Sequence, residues 1–304
     1  MSRADRRQLI AARRRPAAGS VGVMGIAEQI TTQAGRTGLA GLLADPKSAV
    51  VGLDFDGTLA PIVPDPDRAR AHPGVLPALT ALAPLVGAVV VVTGRPAATA
   101  AAYGGFAAAP GLGHLTVLGH YGAERWDASS NAVTAAPPPP GVAAVREELP
   151  VLLRELGVPE GTFVEDKERA LAVHTRRAPE PDALLERLRG PLGELAHRNG
   201  LVVEPGRMVV ELRPPGVDKG VALRGFLAER DAGPVLFAGD DLGDLAAYAE
   251  VAARRESGHP GLLVCSGPVT GEPPVAELAE RADLVVAGPA GVVDLLNGLT
   301  ELLS

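Results

Sequence analysis

Ala49-Val50-Val51-Gly52-Leu53 runs without a polar side chain into Asp54-Phe55-Asp56-Gly57-Thr58-Leu59. A short apolar run that stops at two carboxylates spaced i and i+2 reads as a buried strand of a parallel sheet, delivering acids to its C-terminal edge. Open α/β sheets bind their ligands at that edge. In an irregular loop Asp54 and Asp56 can both face one ligand, one through its side chain and the other through a turned backbone. Gly57 permits the turn and Thr58 can hydrogen-bond it shut.

The same grammar recurs on either side. Upstream, Ile30, Leu39, Leu42 and Leu43 have helix-compatible spacing over about 27–44, ending before Asp45-Pro46. Downstream, Leu76, Leu79 and Leu82 predict a helix between Pro73 and Pro84. It leads to a second apolar run, Ala88 to Val92, which ends in Thr93-Gly94-Arg95-Pro96. Strand, helix, strand at this spacing is a right-handed βαβ unit, which puts Thr93 at the same sheet edge as Asp54. A third run, Leu115 to Leu118, leads into Gly119-His120-Tyr121-Gly122-Ala123-Glu124.

After that the pattern changes. Residues 127–141, with Ser129-Ser130-Asn131 and Pro137 to Pro140, read as a linker. Residues 142–215 then read helix, strand, strand, helix, strand, strand. The helices fall near 142–156 and 180–199, and the strands at Thr162–Glu165, Leu171–Thr175, Leu201–Glu204 and Met208–Leu212, with Gly206-Arg207 as a hairpin turn. The first grammar returns with Asp218-Lys219-Gly220 opening a helix, and with the strand Val235–Ala238 ending in Gly239-Asp240-Asp241-Leu242-Gly243-Asp244. Further strands are expected at 261–265 and 283–286, and a last helix over 289–303. The expected organisation is a mobile basic tail (1–26), an α/β doubly wound parallel-sheet core in two parts (27–136 and 216–304) and an inserted α+β domain (137–215).

Composition limits the partners. The chain has 304 residues, 46% apolar and 21% charged, with a formal net charge of -7. Outside the arginine-rich N-terminus there is no basic stripe, so no nucleic-acid footprint; a small molecule is the expected partner. A single cysteine, Cys265 in an apolar run, excludes a disulfide framework or a zinc set and fits a reducing compartment. No apolar run approaches the ~20 residues of a membrane helix. A cytoplasmic protein is expected, its oligomeric state left open, a monomer included. Of 29 basic residues only Lys47, Lys167 and Lys219 are lysines. In an arginine-rich chain they mark places where a compact point charge, suited to phosphate, is wanted.

Four loops should converge at one sheet edge, carrying Asp54 and Asp56, then Thr93, then Lys219, then Asp240, Asp241 and Asp244. Carboxylates gathered in one cleft repel unless a cation sits among them, and an all-oxygen set of hard ligands suits Mg²⁺. Such a site takes a phosphate: Lys219 and the Thr93 hydroxyl supply charge and a donor to its oxygens. A carboxylate can then attack phosphorus in line, and a second, two residues on, can protonate the leaving alcohol.

The order Asp54-Phe55-Asp56-Gly57-Thr58, then Thr93-Gly94-Arg95, then Lys219, then Gly239-Asp240-Asp241 to Asp244 resembles the haloacid dehalogenase superfamily of phosphatases. That resemblance implies Asp54 as nucleophile and Asp56 as general acid/base. It implies Thr93, Gly94 and Lys219 around the phosphate, with Arg95 either beside it or pinning the loop, Mg²⁺ at Asp54, the Asp56 backbone carbonyl and Asp240 with Asp241 and Asp244 as supporting or alternative acids, and the inserted domain as a mobile cap. Within the superfamily the run 119–124, Val164-Glu165-Asp166-Lys167 continuing to Val173-His174-Thr175-Arg176, and Val210-Glu211-Leu212-Arg213-Pro214 are similar to trehalose-6-phosphate phosphatases. By that likeness Glu165, Lys167 and Glu211 bind glucose hydroxyls from the cap, and the activity is release of phosphate from trehalose 6-phosphate. After the paired acids that family usually has Thr-Asp-Glu, and here Leu242-Gly243-Asp244-Leu245 lacks the Thr and the Glu. A phosphatase for another sugar phosphate, or a sensor that binds without turnover, are the alternatives. Glu165 and Lys167 share a strand face whatever their use, and His120 and His174 read as structural.

Overall fold

The computed structural model describes residues 25–135, 137, 139–206, 208–268 and 273–304. Twelve strands and ten helices are found among them. The chain begins with α1 (Gly25–Gln29) and α2 (Gln33–Ala44), then β1 (Val50–Leu53), α3 (Val75–Leu82), β2 (Ala88–Val92), α4 (Ala97–Gly104) and β3 (Leu115–Gly119). A hairpin follows, β4 (Glu124–Asp127) and β5 (Ala132–Ala135). The insertion carries α5 (Pro140–Glu155), β6 (Phe163–Asp166), β7 (Leu171–His174), α6 (Pro181–Arg198), β8 (Val202–Gly206) and β9 (Val209–Arg213). The chain ends with α7 (Lys219–Glu229), β10 (Val235–Gly239), α8 (Leu245–Glu256), β11 (Gly261–Gly267), α9 (Ala276–Arg281), β12 (Leu284–Ala287) and α10 (Gly288–Leu303).

The larger sheet has the order β12-β11-β10-β1-β2-β3-β4-β5, parallel from β12 to β3 and antiparallel through the hairpin. Its central strands are buried on both faces, which is why they read as unbroken apolar runs. Along β1, Val51 and Leu53 join the core on one side and Val50 the core on the other; β2 splits the same way, Val89 and Val91 against Val90 and Val92. Each fully buried Val or Leu contributes about 1.5–3 kcal/mol. The frame is therefore firm enough to hold charged side chains at its edge. Register aligns the strand ends: Leu53 lies opposite Val91 on one side and Ala238 on the other. Asp54, Thr93 and Asp240 consequently leave the sheet together.

The smaller sheet, β6-β7-β9-β8, is antiparallel and has its own core. Val142, Val145 and Leu149 of α5 and Leu184, Leu188 and Leu192 of α6 cover Val173, Val210 and Leu212. The inserted α+β domain is thus a separate packing unit, placed in the chain between β5 and α7.

Several boundaries differ from the sequence reading. Residues 127–135 are not linker but complete a hairpin, its turn held by Asn131 at φ 50 and by the Trp126 indole donating to the Asn131 side chain at 3.1 Å. Helix 27–44 is interrupted at residues 30–32, where the Thr32 hydroxyl caps α2 by accepting from the Gly35 amide. Ile26 is buried against the core, so the fold begins before residue 27. Helices α4, α8 and α9 were not anticipated. The expected basic tail, through residue 24, and Arg207 of the expected Gly-Arg turn lie outside the described residues. Among the described residues no helix is long and apolar enough to cross a membrane.

Candidate active site

Asp54 leaves β1 with its amide donating to the Ala238 carbonyl at 2.9 Å, which ties the loop to β10. Gly57 follows at φ 79, and a Cβ there would fall 2.0 Å from an Asp240 carboxylate oxygen. Only glycine fits both the turn and the approach. The Gly57 carbonyl accepts from the Ser266 hydroxyl of β11 at 2.7 Å, so the loop is fixed from beneath.

Lys219 opens α7, where Asp218 caps the helix by accepting from the Val221 amide at 2.8 Å. Its ammonium is buried and bridges two carboxylates, Asp54 Oδ1 at 2.8 Å and Asp244 Oδ1 at 2.7 Å. The other Asp244 oxygen accepts from the Asp240 and Asp241 amides at 3.0 and 3.2 Å. Asp244, expected as a supporting acid of this loop, therefore anchors the whole of it. Asp241 faces outward and accepts from the Gly243 amide at 2.9 Å.

Oxygens of Asp54, Asp240 and Asp244 lie within 4.8 Å of one another, a spacing that could hold a metal ion. Burial, only partly offset by Lys219, raises the Asp54 pKa well above the usual carboxylate range. Burial and then the neighbouring Asp244 and Asp241 push Asp240 up to about 8. One lysine does not satisfy this many acids. A divalent cation on hard oxygen donors would supply the missing charge, so the donor set fits such an ion. Among the described residues the cluster that meets this spacing contains Asp244, and contains neither Asp241 nor the Asp56 carboxylate.

The Asp56 carboxylate points instead to Arg95, which grips it through Nε at 2.6 Å and Nη2 at 2.7 Å. Arg95, expected beside a phosphate or as a pin for the loop, thus lies on the acid two residues beyond Asp54, with its guanidinium also over the Tyr103 ring at 5.3 Å. Thr93 is buried at the end of β2, its hydroxyl accepting from the Arg95 amide at 3.1 Å. Glu124 braces the loop by accepting from the Ala97 amide at 2.9 Å, at the start of α4.

From the inserted domain, Lys167 pairs with Glu211 at 2.6 Å. Burial works against the Lys167 charge, but Glu211 outweighs it and raises the pKa. Glu165 contacts the His174 ring nitrogen at 2.9 Å, and this hydrogen bond lowers the carboxyl's pKa. A cleft of about 560 Å³ lies between the two units, lined by Asp54, Asp56, Thr93, Gly94, Arg95, Lys219, Asp240, Asp241, Glu165 and Lys167. The structure thus gathers the sequence-derived candidates at one cleft, Glu211 reaching it through Lys167. Tyr103, Tyr121, His174 and Arg176 also line it, none of which had been given a role.

A family model described as trehalose-phosphatase matches residues 52–281. The chain is 32% identical over 219 residues to a probable trehalose-phosphate phosphatase of Sinorhizobium fredii, covering 70% of this chain and 77% of that one. It is 37% identical over 215 residues to an uncharacterized glycosyl hydrolase of Mycobacterium tuberculosis, covering 66% of this chain but only 15% of that much longer protein. Among solved structures, trehalose-6-phosphate phosphatase of Aspergillus fumigatus superposes with a TM-score of 0.60 at 25% identity, over 87% of this chain and 96% of that one. The fold is that of the haloacid dehalogenase-like hydrolases with a cap domain.

Proposed function

The chain belongs to the trehalose-phosphatase family, and we propose that it hydrolyses trehalose 6-phosphate to trehalose and phosphate, with Asp54 as nucleophile and Mg²⁺ as cofactor. The observation that carries this reading is the one cleft lined from below by Asp54, Thr93, Lys219 and Asp240, and from above by Glu165 and Lys167. A phosphorylated polyol uses both walls at once: a phosphate needs the charge at the sheet edge, and sugar hydroxyls match carboxylates that accept and an ammonium that donates.

Asp54, Asp240 and Asp244 would hold the ion, which when bound neutralises phosphate charge and polarises its oxygens. Lys219 keeps the Asp54 carboxylate fixed and offers its remaining hydrogen to a phosphoryl oxygen. Thr93 donates to a second oxygen. Asp54 attacks phosphorus in line and forms an aspartyl-phosphate, while Asp56 protonates the departing sugar oxygen and then takes a proton from the attacking water. In this structure Arg95 occupies both oxygens of the Asp56 carboxylate, which must be freed for that acid to reach the leaving oxygen. Arg95 therefore turns toward the substrate as the phosphate arrives. Glu165, Lys167 and Glu211 bind the sugar, and the inserted domain excludes bulk water.

The test is phosphate release from trehalose 6-phosphate with Mg²⁺, beside sucrose 6-phosphate, glucose 6-phosphate and an Asp54→Asn control. Release chiefly from trehalose 6-phosphate, abolished by the substitution and by chelator, is expected. Preference for another sugar phosphate would overturn the cap assignment, and binding without release from any would make the protein a sensor.

A further inference from the structure

The loop Thr93-Gly94-Arg95 rests on a turn that the reaction above does not use. His120 and Tyr121 lie side by side in the left-handed region, at φ 46 and 56. Consecutive non-glycine residues there are uncommon, and a bulky one signals a constraint imposed from outside. The constraint is visible: the His120 amide donates to the Arg95 carbonyl and the Tyr121 amide to the Thr93 carbonyl, each at 2.9 Å. The turn and the phosphate loop are thus built as one piece.

This backbone aims the Tyr121 side chain across Gly94. A Cβ on Gly94 would lie 2.7 Å from the phenol oxygen and 2.9 Å from the carbon that carries it. Gly94 has no positive φ to explain it, so its lack of a side chain serves to admit the ring. Behind the ring the Arg213 guanidinium sits 5.0 Å from its centre. The side chain is held on two sides and opens on a third, into the cleft it shares with Asp54, Thr93 and Lys167. Burial, and then Glu211, raise the phenol's pKa, so it is a proton donor throughout the neutral range. Among the described residues the hydroxyl makes no hydrogen bond. A phenol fixed at such expense with its donor unused is waiting for an acceptor from the cleft.

We propose that Tyr121 is a substrate-binding residue whose hydroxyl donates a hydrogen bond to the hexose that carries the phosphate, at the joint between the phosphate loop and the Lys167–Glu211 pair. This rests on the sugar-phosphate reading above and adds to it a contact beside Gly94 of the phosphate loop. It also explains why Gly94 follows Thr93.

Tyr121→Phe keeps the ring against Gly94 and Arg213 and removes only the donor. The ratio of kcat/KM for trehalose 6-phosphate to that for 4-nitrophenyl phosphate is expected to fall about 3- to 10-fold, the loss residing in KM. Trehalose alone, titrated calorimetrically, should bind more weakly by a similar factor, with the melting temperature unchanged. A ratio and a trehalose affinity within twofold of the wild type would overturn the proposal. So would equal losses on both substrates with a lowered melting temperature, which would make Tyr121 a prop for the loop. The wild-type rate on trehalose 6-phosphate reports separately on the substrate reading. If that rate is absent, the same ratio taken with glucose 6-phosphate decides Tyr121, and an unchanged value sinks it.

Discussion

Lys219→Met is the perturbation whose consequence follows most directly from the structure. The wild-type ammonium is buried between Asp54 and Asp244 at 2.8 and 2.7 Å. Methionine fills similar space but leaves both carboxylates buried without a counter-charge, beside Asp240. Removing one partner of a buried pair costs about 3–5 kcal/mol. At roughly 2–4 °C per kcal/mol for a protein of this size, the chelator-treated variant should melt about 6–20 °C below the wild type. Burial works against the Lys219 charge, but Asp244 and Asp54 outweigh it and hold its pKa well above the lysine range. The wild-type lysine therefore contributes its full stabilisation at neutral pH and loses it only as the pH rises past that range. The acids behave oppositely. Their folded pKa values are raised, so the variant should regain stability on acidification, as the orphaned carboxylates take up protons, and lose it as the pH rises. Calorimetric melts with chelator at acid and neutral pH, repeated with excess Mg²⁺, read all of this, and Mg²⁺ should narrow the deficit. Turnover should fall by about 10²–10³ as one preorganised donor is lost. Melting within about 2 °C of wild type at neutral pH in chelator would refute the reasoning.

Three further outcomes are expected. Because burial, Asp244 and Asp241 push Asp240 up to about 8, Mg²⁺ affinity should rise with pH up to that value and binding should release protons, read by titration calorimetry in buffers of different ionisation heat; affinity independent of pH would refute this. Gly57→Ala places a methyl group 2.0 Å from an Asp240 oxygen at a backbone φ of 79, and should cost about 1–3 kcal/mol in stability while weakening Mg²⁺ binding, seen by melts with and without the ion. Lys167→Ala leaves Glu211 without its 2.6 Å partner and should raise KM for trehalose 6-phosphate about 10- to 100-fold, far more than it changes the value for 4-nitrophenyl phosphate.

What could be read from the sequence follows from where the signals lie. Strands β1, β2 and β10 are buried on both faces, so their unbroken apolar runs marked both the strands and the polar residues that end them. Parallel connection then placed Asp54, Thr93 and Asp240 at one edge before any coordinate was known. The β4–β5 hairpin escaped because all of β5 is exposed and offers no alternation to detect. Side-chain direction at the site was also hidden. Arg95 beside Thr93-Gly94 reads in one dimension either as a phosphate ligand or as a pin for the loop, and only the fold shows its guanidinium on Asp56. Asp244 looked like one acid among several, because its burial depends on Lys219 arriving from a segment 25 residues earlier. The left-handed backbone of His120 and Tyr121 has no sequence signature, since neither residue is glycine.

The central claim is that Asp54 is the atom donor that attacks phosphorus and Asp56 the acid/base that resolves the product. The direct measurement is made on Asp56→Asn, mixed with trehalose 6-phosphate and Mg²⁺, quenched in acid, digested and examined by mass spectrometry. The account predicts phosphate accumulated on the peptide that carries Asp54, at higher occupancy than in the wild type, and absent from Asp54→Asn. Phosphate on another residue, or normal turnover by Asp54→Asn, would contradict it.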